Sequence, residues 1–328
     1  MNKFLLVLAV SFLFCLTIHS QDPVFTGKPI AEIYTDFHYI INDTSQTSGF
    51  GINRAFLGYK YQPEGKFSST IIMNIGTPED LAPGSKQKRY AYFREASIAY
   101  TDEKLTINFG IASTRIFDFQ QKFWSKRYLG PEYQSLYGYG SVADLGIVID
   151  YRINDLLKVD FTLMNGKGYS NIQYDNSLKT SFGLTVTTPN RISFRFYGDV
   201  MKPYGITQTT LVGFAGFKTN HLSIGAEASY KTGIDFTTGH DGWGLSATGA
   251  VNISEKTEIF LRYDYASSVV TEGSDYWKSI LDGTFLLSGL QYTFSPNLRM
   301  SLNYRGNNPY STIMLNTDAI YLNVHFKF

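Results

Sequence analysis

The sequence predicts an all-β fold, a closed transmembrane antiparallel β-barrel of about sixteen strands whose long third extracellular loop folds into the lumen. Three observations lead there. Stretches of roughly nine to eleven residues alternate apolar and polar side chains, the period of a strand with one face in hydrocarbon and one in water. Short and long connections take turns along the chain, as they do when turns lie at one rim and loops at the other. The chain also closes on "AIYLNVHFKF", residues 319–328, alternating up to a final phenylalanine.

Composition agrees. Of 328 residues, 43% are hydrophobic, which excludes a disordered chain. The 24 Tyr, 25 Phe and 29 Gly against 10 Pro favour strands with tight turns over helices. The formal charge of +1 falls to zero once Lys3 leaves with a leader, so nothing points to nucleic acid as a partner.

From the N-terminus, "MNKFLLVLAVSFLFCLTIHS" (1–20) reads as a signal peptide, with Lys3 as its positive start and Phe4 to Ile18 as its apolar core. Residues 21–328 are then one barrel domain. Cys15, the only cysteine, belongs to the leader, which leaves the mature chain without a disulfide or a thiol nucleophile. No later stretch holds eighteen consecutive apolar residues, so strands are the remaining way across a bilayer.

The strands follow in order. "AEIYTDFHYI" (31–40) sets Ile33, Phe37 and Tyr39 against Glu32, Asp36 and His38. "ADLGIVIDYRI" (143–153) sets Leu145, Ile147 and Ile149 against Asp144, Gly146 and Asp150. "HLSIGAEASYK" (221–231) and "EIFLRYDYA" (258–266) repeat the theme, whereas "LVGFAGF" (211–217) and "YFREASIAY" (92–100) are ambiguous in phase. Short turns such as "TDEK" (101–104) and "SPN" (295–297) alternate mostly with long segments such as "TPEDLAPGSKQK" (77–88) and "GKGYSNIQYDNSLK" (166–179). Eight long and seven short connections join sixteen strands and leave both termini on the short-turn side.

The third long connection, "TRIFDFQQKFWSKRYLGPEYQSLYGYG" (114–140), is the longest and is crowded with aromatic rings. Long segments of this kind inside a compact fold are functional or disordered, and the rings argue against disorder. Phe117, Phe119, Phe123 and Trp124 are expected to anchor it to the barrel wall. Arg115, Lys122, Lys126 and Arg127 are expected to face water at a constriction, with a positive excess of two over Asp118 and Glu132. On the strands, Arg54, Asp144, Arg152, Arg195, Asp199, Arg262, Asp264 and Arg305 fall on the polar, lumen-facing side. Facing lipid, an Arg or Lys there would cost about 2–4 kcal/mol. Facing the lumen, most would keep it wet, and those level with the third loop would set a field across it.

A terminal phenylalanine on an amphipathic last strand, here Phe328 with Phe326 and Val324, resembles the sorting signal read by the barrel-assembly machinery. "FGINRAFLGYKYQPEGKFSSTIIMNIG" (50–76) and "SVADLGIVIDYRIN" (141–154) resemble the phosphate-selective porin O and P family and its Bacteroidota relatives. The resemblance implies a Gram-negative outer-membrane porin in contact with outer-membrane lipid, a passive channel for small polar solutes or anions, with a homotrimer as one assembly. That family's stacked arginine ladder finds no residue-by-residue match here, so the expectation is mild anion preference and no phosphate filter. The alternative is a structural or secretion-associated barrel with a plugged lumen.

Catalytic signals are weak. "GHDGW" (239–243) places His240 and Asp241 side by side in an outer loop, without a placed nucleophile. "GWGLSA" (242–247) imitates a dinucleotide-binding glycine pattern but opens no βαβ unit, and no histidines are spaced as metal ligands. The sequence therefore predicts no enzyme, no cofactor and no metal.

Overall fold

The computed structural model describes residues 27–63, 65–75, 91–173, 175–269, 281–310 and 314–328. The leader reading (1–20) and the second long connection (77–88) lie outside them. Sixteen strands follow one another around the wall: β1 (Gly27–Asn42), β2 (Gln46–Tyr61), β3 (Phe67–Ile75), β4 (Ala91–Thr101), β5 (Leu105–Ser113), β6 (Ala143–Arg152), β7 (Leu157–Met164), β8 (Lys179–Thr187), β9 (Ile192–Met201), β10 (Gln208–Lys218), β11 (Leu222–Thr232), β12 (Asp241–Asn252), β13 (Thr257–Val269), β14 (Gly283–Ser295), β15 (Leu298–Pro309) and β16 (Thr317–Lys327). Each pairs antiparallel with its neighbours in sequence, and β1 pairs with β16, so the barrel is closed. The closing register sets Ile33 opposite Phe326 and Phe37 opposite Leu322. At the seam's end the Phe328 N–H donates to the Ala31 carbonyl at 3.0 Å.

The outer face is a band of uncovered apolar side chains, among them Ile33, Phe109, Leu145, Phe196, Leu261 and Ile320. So much exposed apolar surface suits hydrocarbon, and closure removes the unpaired edge that hydrocarbon would not tolerate. Ring pairs sit near both ends of the strands: Tyr292–Phe294 (4.7 Å) by a short turn and Trp243–Tyr265 (5.2 Å) by a long loop. Interfacial belts place such rings where one edge is apolar and the other wet. No helix among the described residues is long and apolar enough to cross a membrane.

The two ambiguous windows have separate physical causes. In β4 the pairing runs Ile72 to Glu95 and Met73 to Phe93, so Arg94 is the extra residue of a bulge. The bulge resets the side-chain phase within one strand, and Phe93 and Ile98 both point outward despite their odd spacing. In β10 the phase is regular, with Leu211 exposed outside, but Val212 and Phe214 are buried inside. Both faces of β10 are apolar because its inner face meets protein, not water.

Phase yields a direct test. Cysteines placed singly at Leu145, Ile147 and Ile149, on the lipid face, should resist water-soluble thiol reagents in membranes. One at Arg152, on the inner face of β6 and exposed, should react within the same labelling time, because neighbours on a strand point to opposite faces. Labelling at the three apolar positions and not at Arg152 would mean that the register is wrong.

Candidate functional site

Residues 114–142 leave the end of β5, cross the lumen and return to β6. Two short helices form on the way, α1 (Asp118–Trp124) and α2 (Tyr133–Leu136). Asp118 in the first turn and Lys122 in the last suit the helix dipole of α1 and pair with each other at 2.7 Å. Ser125 ends α1 in the left-handed region, φ 58°.

The rings of the segment pack against the inner wall. Phe123 meets Phe214 of β10 at 5.0 Å and Phe119 meets the same ring at 5.6 Å. Trp124 meets Phe260 of β13 at 6.1 Å, while Ile116, Phe117 and Tyr133 pack with Tyr197 and Val212 in one buried cluster. Phe117, Phe123 and Trp124 are all buried, as anchors should be. Glycines on the wall make the sockets: a Cβ on Gly244 would lie on the Tyr133 hydroxyl, and a Cβ on Gly225 would stand 2.9 Å from Phe123. Gly244 of "GWGLSA" therefore serves ring packing.

The wall's cations hold the backbone of the segment. Arg195 donates to the Arg115 carbonyl (2.5 Å), Lys218 to the Phe123 carbonyl (2.6 Å) and Arg262 to the Pro131 carbonyl (2.6 Å). Lys231 donates to the carbonyls of Gly138 (3.0 Å) and Tyr139 (3.2 Å). An irregular segment cannot satisfy its own carbonyls, and a buried carbonyl without a donor is costly. Side chains bind it as well: Gln134 donates to Glu227 (2.7 Å), and Tyr128 donates to Gln291 (2.7 Å) while stacking on His325 at 5.2 Å.

The expected constriction set is rearranged. Lys126 does not face water: it is buried, pairs with Glu258 at 2.5 Å and lies over the Trp124 ring at 4.7 Å. Burial pushes its ammonium pKa down, against the pull of Glu258. Arg127, largely buried, pairs with the buried Glu132, and burial pushes its guanidinium down to about 10, so it stays charged at neutral pH. Arg115 forks onto Asp150 at 2.8 and 2.6 Å. Of the four cations only Lys122 stands open, its side chain 73% exposed. The cause is the low polarity inside the packed segment, where a charge survives only beside a partner.

The lumen-facing residues of the strands mostly have partners too. Arg195 pairs with Asp160 (2.7 Å), Arg262 with Asp264 (2.6 Å) and Asp199 with Lys179 (3.3 Å). Asp144 accepts from the Gly166 N–H at 2.6 Å and so holds the next loop. Arg305 lies on the Tyr321 ring at 3.6 Å and donates to Asn323, and Arg152 donates to the Glu103 carbonyl at the turn rim. Arg54, by contrast, has no side-chain hydrogen bond or ion pair among the described residues. It lines a cavity of about 140 Å³ with Glu32, Tyr34, Arg94, Glu95 and Arg127, between the segment and the inner wall of β1–β4. One guanidinium nitrogen of Arg94 and one of Arg127 have no partner there. Sequence reasoning missed Glu32, Arg94 and Glu95, although the irregular phase of residues 92–100 marked the place. In the outer loop, the Asp241 carboxylate accepts from the Gly233 N–H at 2.9 Å and so braces the backbone beside His240.

The barrel itself has counterparts in solved structures. The barrel has the fold of outer-membrane porins. It is similar to OmpF of Salmonella typhi, solved with daunomycin, at TM-score 0.67 and 12% identity over 92% of this chain and 97% of that one. It is similar to the outer-membrane-expressed OmpT of Vibrio cholerae at 0.65 and 13%, over 92% and 97%. The anion-selective porin from Comamonas acidovorans follows at 0.64 and 10%, over 92% and 99%. No family model and no curated protein matches the chain.

Proposed function

We propose that this protein is an outer-membrane channel for small hydrophilic solutes with a mild anion preference, and that its selectivity is set in the slot beside β1–β4. The observation that carries this is the slot itself, an inner cavity edged by the unpaired Arg54 and by the partly bonded Arg94 and Arg127. Glu32 and Glu95 sit opposite in charge, so among the lining residues cations exceed carboxylates by one, with Arg127 already paired to Glu132 outside the gap. A hydrated gap with such a margin favours anions weakly, since salt screens within about 10 Å at 0.1 M. Three guanidinium groups around one gap do not make the stacked ladder that the resemblance to the porin O and P family would require for phosphate selectivity.

An outer-membrane location, insertion by the barrel-assembly machinery through Phe328, Phe326 and Val324, and a signal peptide over residues 1–20 belong to the same reading. So does a homotrimer, a state named for one similar structure, the in-vitro folded OmpT in its trimer form. A second reading, a plugged barrel, is favoured by one observation: the segment 114–142 reaches β10, β13, β14 and β16.

Planar-bilayer recording separates the two. Purified protein should give discrete conductance steps. Arg54→Glu with Arg94→Glu should move the reversal potential toward cations by a margin well outside error, since it changes the slot by four charges. Absence of steps would favour the plug, and an unmoved reversal potential would place selectivity elsewhere.

A further inference from the structure

On the other side of α1 lies a larger space. A basin of about 930 Å³ opens between α1 and the inner walls of β5 to β10, bounded at its mouth by the short turns. Its roof is chemically closed: Arg115 is forked onto Asp150 and Arg195 onto Asp160. Two cations on its wall are different. Lys158 and Arg191 line the basin, and neither has a side-chain hydrogen bond or ion pair among the described residues. The same basin is lined by Phe119 and Leu156 and by the carboxylates of Glu103 and Asp155.

Arg191 has a second peculiarity. It sits in the turn between β8 and β9, where its N–H donates to the Thr188 carbonyl at 3.0 Å, and its φ is +66°. Glycine is the ordinary occupant of such a turn position, and a residue with a side chain is strained there. Strain of this kind persists mostly where the residue has a task. The side chain held at that cost is an unpaired guanidinium on the wall of a cavity of ligand size.

We propose that this basin is a binding site, entered from the short-turn side, for a small organic anion with an aromatic or branched apolar body. Arg191 and Lys158 receive the carboxylate, and Phe119 with Leu156 covers the apolar part. A guanidinium suits the two oxygens of a carboxylate, and the apolar part of the basin's lining suits a ring. The site is separate from the slot beside β1–β4, and it stands whether or not that slot conducts.

The experiment is calorimetric titration of the purified, detergent-folded barrel with benzoate, and with acetate as the anion lacking a ring. Benzoate should saturate with a dissociation constant on the order of millimolar, and acetate should bind at least about tenfold more weakly. The double variant Lys158→Ala, Arg191→Gly should weaken benzoate by about tenfold or more, while Arg54→Ala should leave it unchanged. Folding is not in question for Arg191→Gly, because glycine relaxes the turn. Heat-modifiable migration on gels checks the double variant. The proposal is overturned if wild type shows no saturable heat, if acetate binds as well as benzoate, or if Arg54→Ala removes binding and the basin variant keeps it.

Discussion

Replacing Arg262 by leucine should destabilise the barrel by about 3–5 kcal/mol and loosen the segment that crosses its lumen. Arg262 donates to both carboxylate oxygens of Asp264, at 2.9 and 2.6 Å, and to the Pro131 carbonyl at 2.6 Å. Asp264 is completely buried, with Ser246 at 2.7 Å as its other donor. Without the guanidinium, a carboxylate stays in a dry place without its counter-charge, and that uncompensated charge costs more than the lost contact. The double variant Arg262→Leu, Asp264→Leu removes the stranded charge as well and should recover most of the stability. It should not recover protection of the segment, because the Pro131 carbonyl still lacks its donor. The temperature at which the barrel loses its heat-modifiable gel mobility reports the first quantity, and protease cleavage within 126–134 the second. An Arg262→Leu barrel that melts like wild type, with an uncut segment, would show that the clamp contributes nothing.

Removing residues 119–134 should raise single-channel conductance by roughly a factor of two or more, because the deletion takes out α1 and most of the material between the walls. Ile116 and Tyr139, packed in one buried cluster at the two ends of the segment, stay in place to tie the shortened connection. The deletion also takes Arg127 out of the slot and exposes Glu227 and Glu258 on the wall, so the preference should move toward cations. Both changes are read from current–voltage curves across a salt gradient. Unchanged conductance and selectivity in a folded barrel would mean that the path runs clear of this segment.

How far the sequence leads can be judged from single positions. Leu145 and Ile149 against Asp144 and Asp150 declare their faces in the alternation, because lipid on one side and a polar interior on the other impose a period of two within each strand. The same local rule gives the strand count, the short-turn rim, a closing strand at 319–328 and the identity of the long third connection, since each depends on residues close together in the chain. Phe117, Phe123 and Trp124 are legible as anchors for a related reason: rings in a long connection need apolar surface to cover.

The charges are another matter. Lys126, Arg195 and Arg262 look from the sequence like side chains facing a wet lumen. Their partners are Glu258, Asp160 and carbonyls of a segment up to 131 residues away along the chain. Whether a cation meets water, a carboxylate or a carbonyl depends on which part of the segment lies opposite each strand, and no local pattern records that. Glycines at 225 and 244 are likewise sockets only because Phe123 and Tyr133 arrive there. The slot at Arg54 and the basin at Arg191 are what the folded segment leaves uncovered on either side of α1. Alternation along the chain determines which way a side chain points; only the packing of the third connection against the wall decides what it meets.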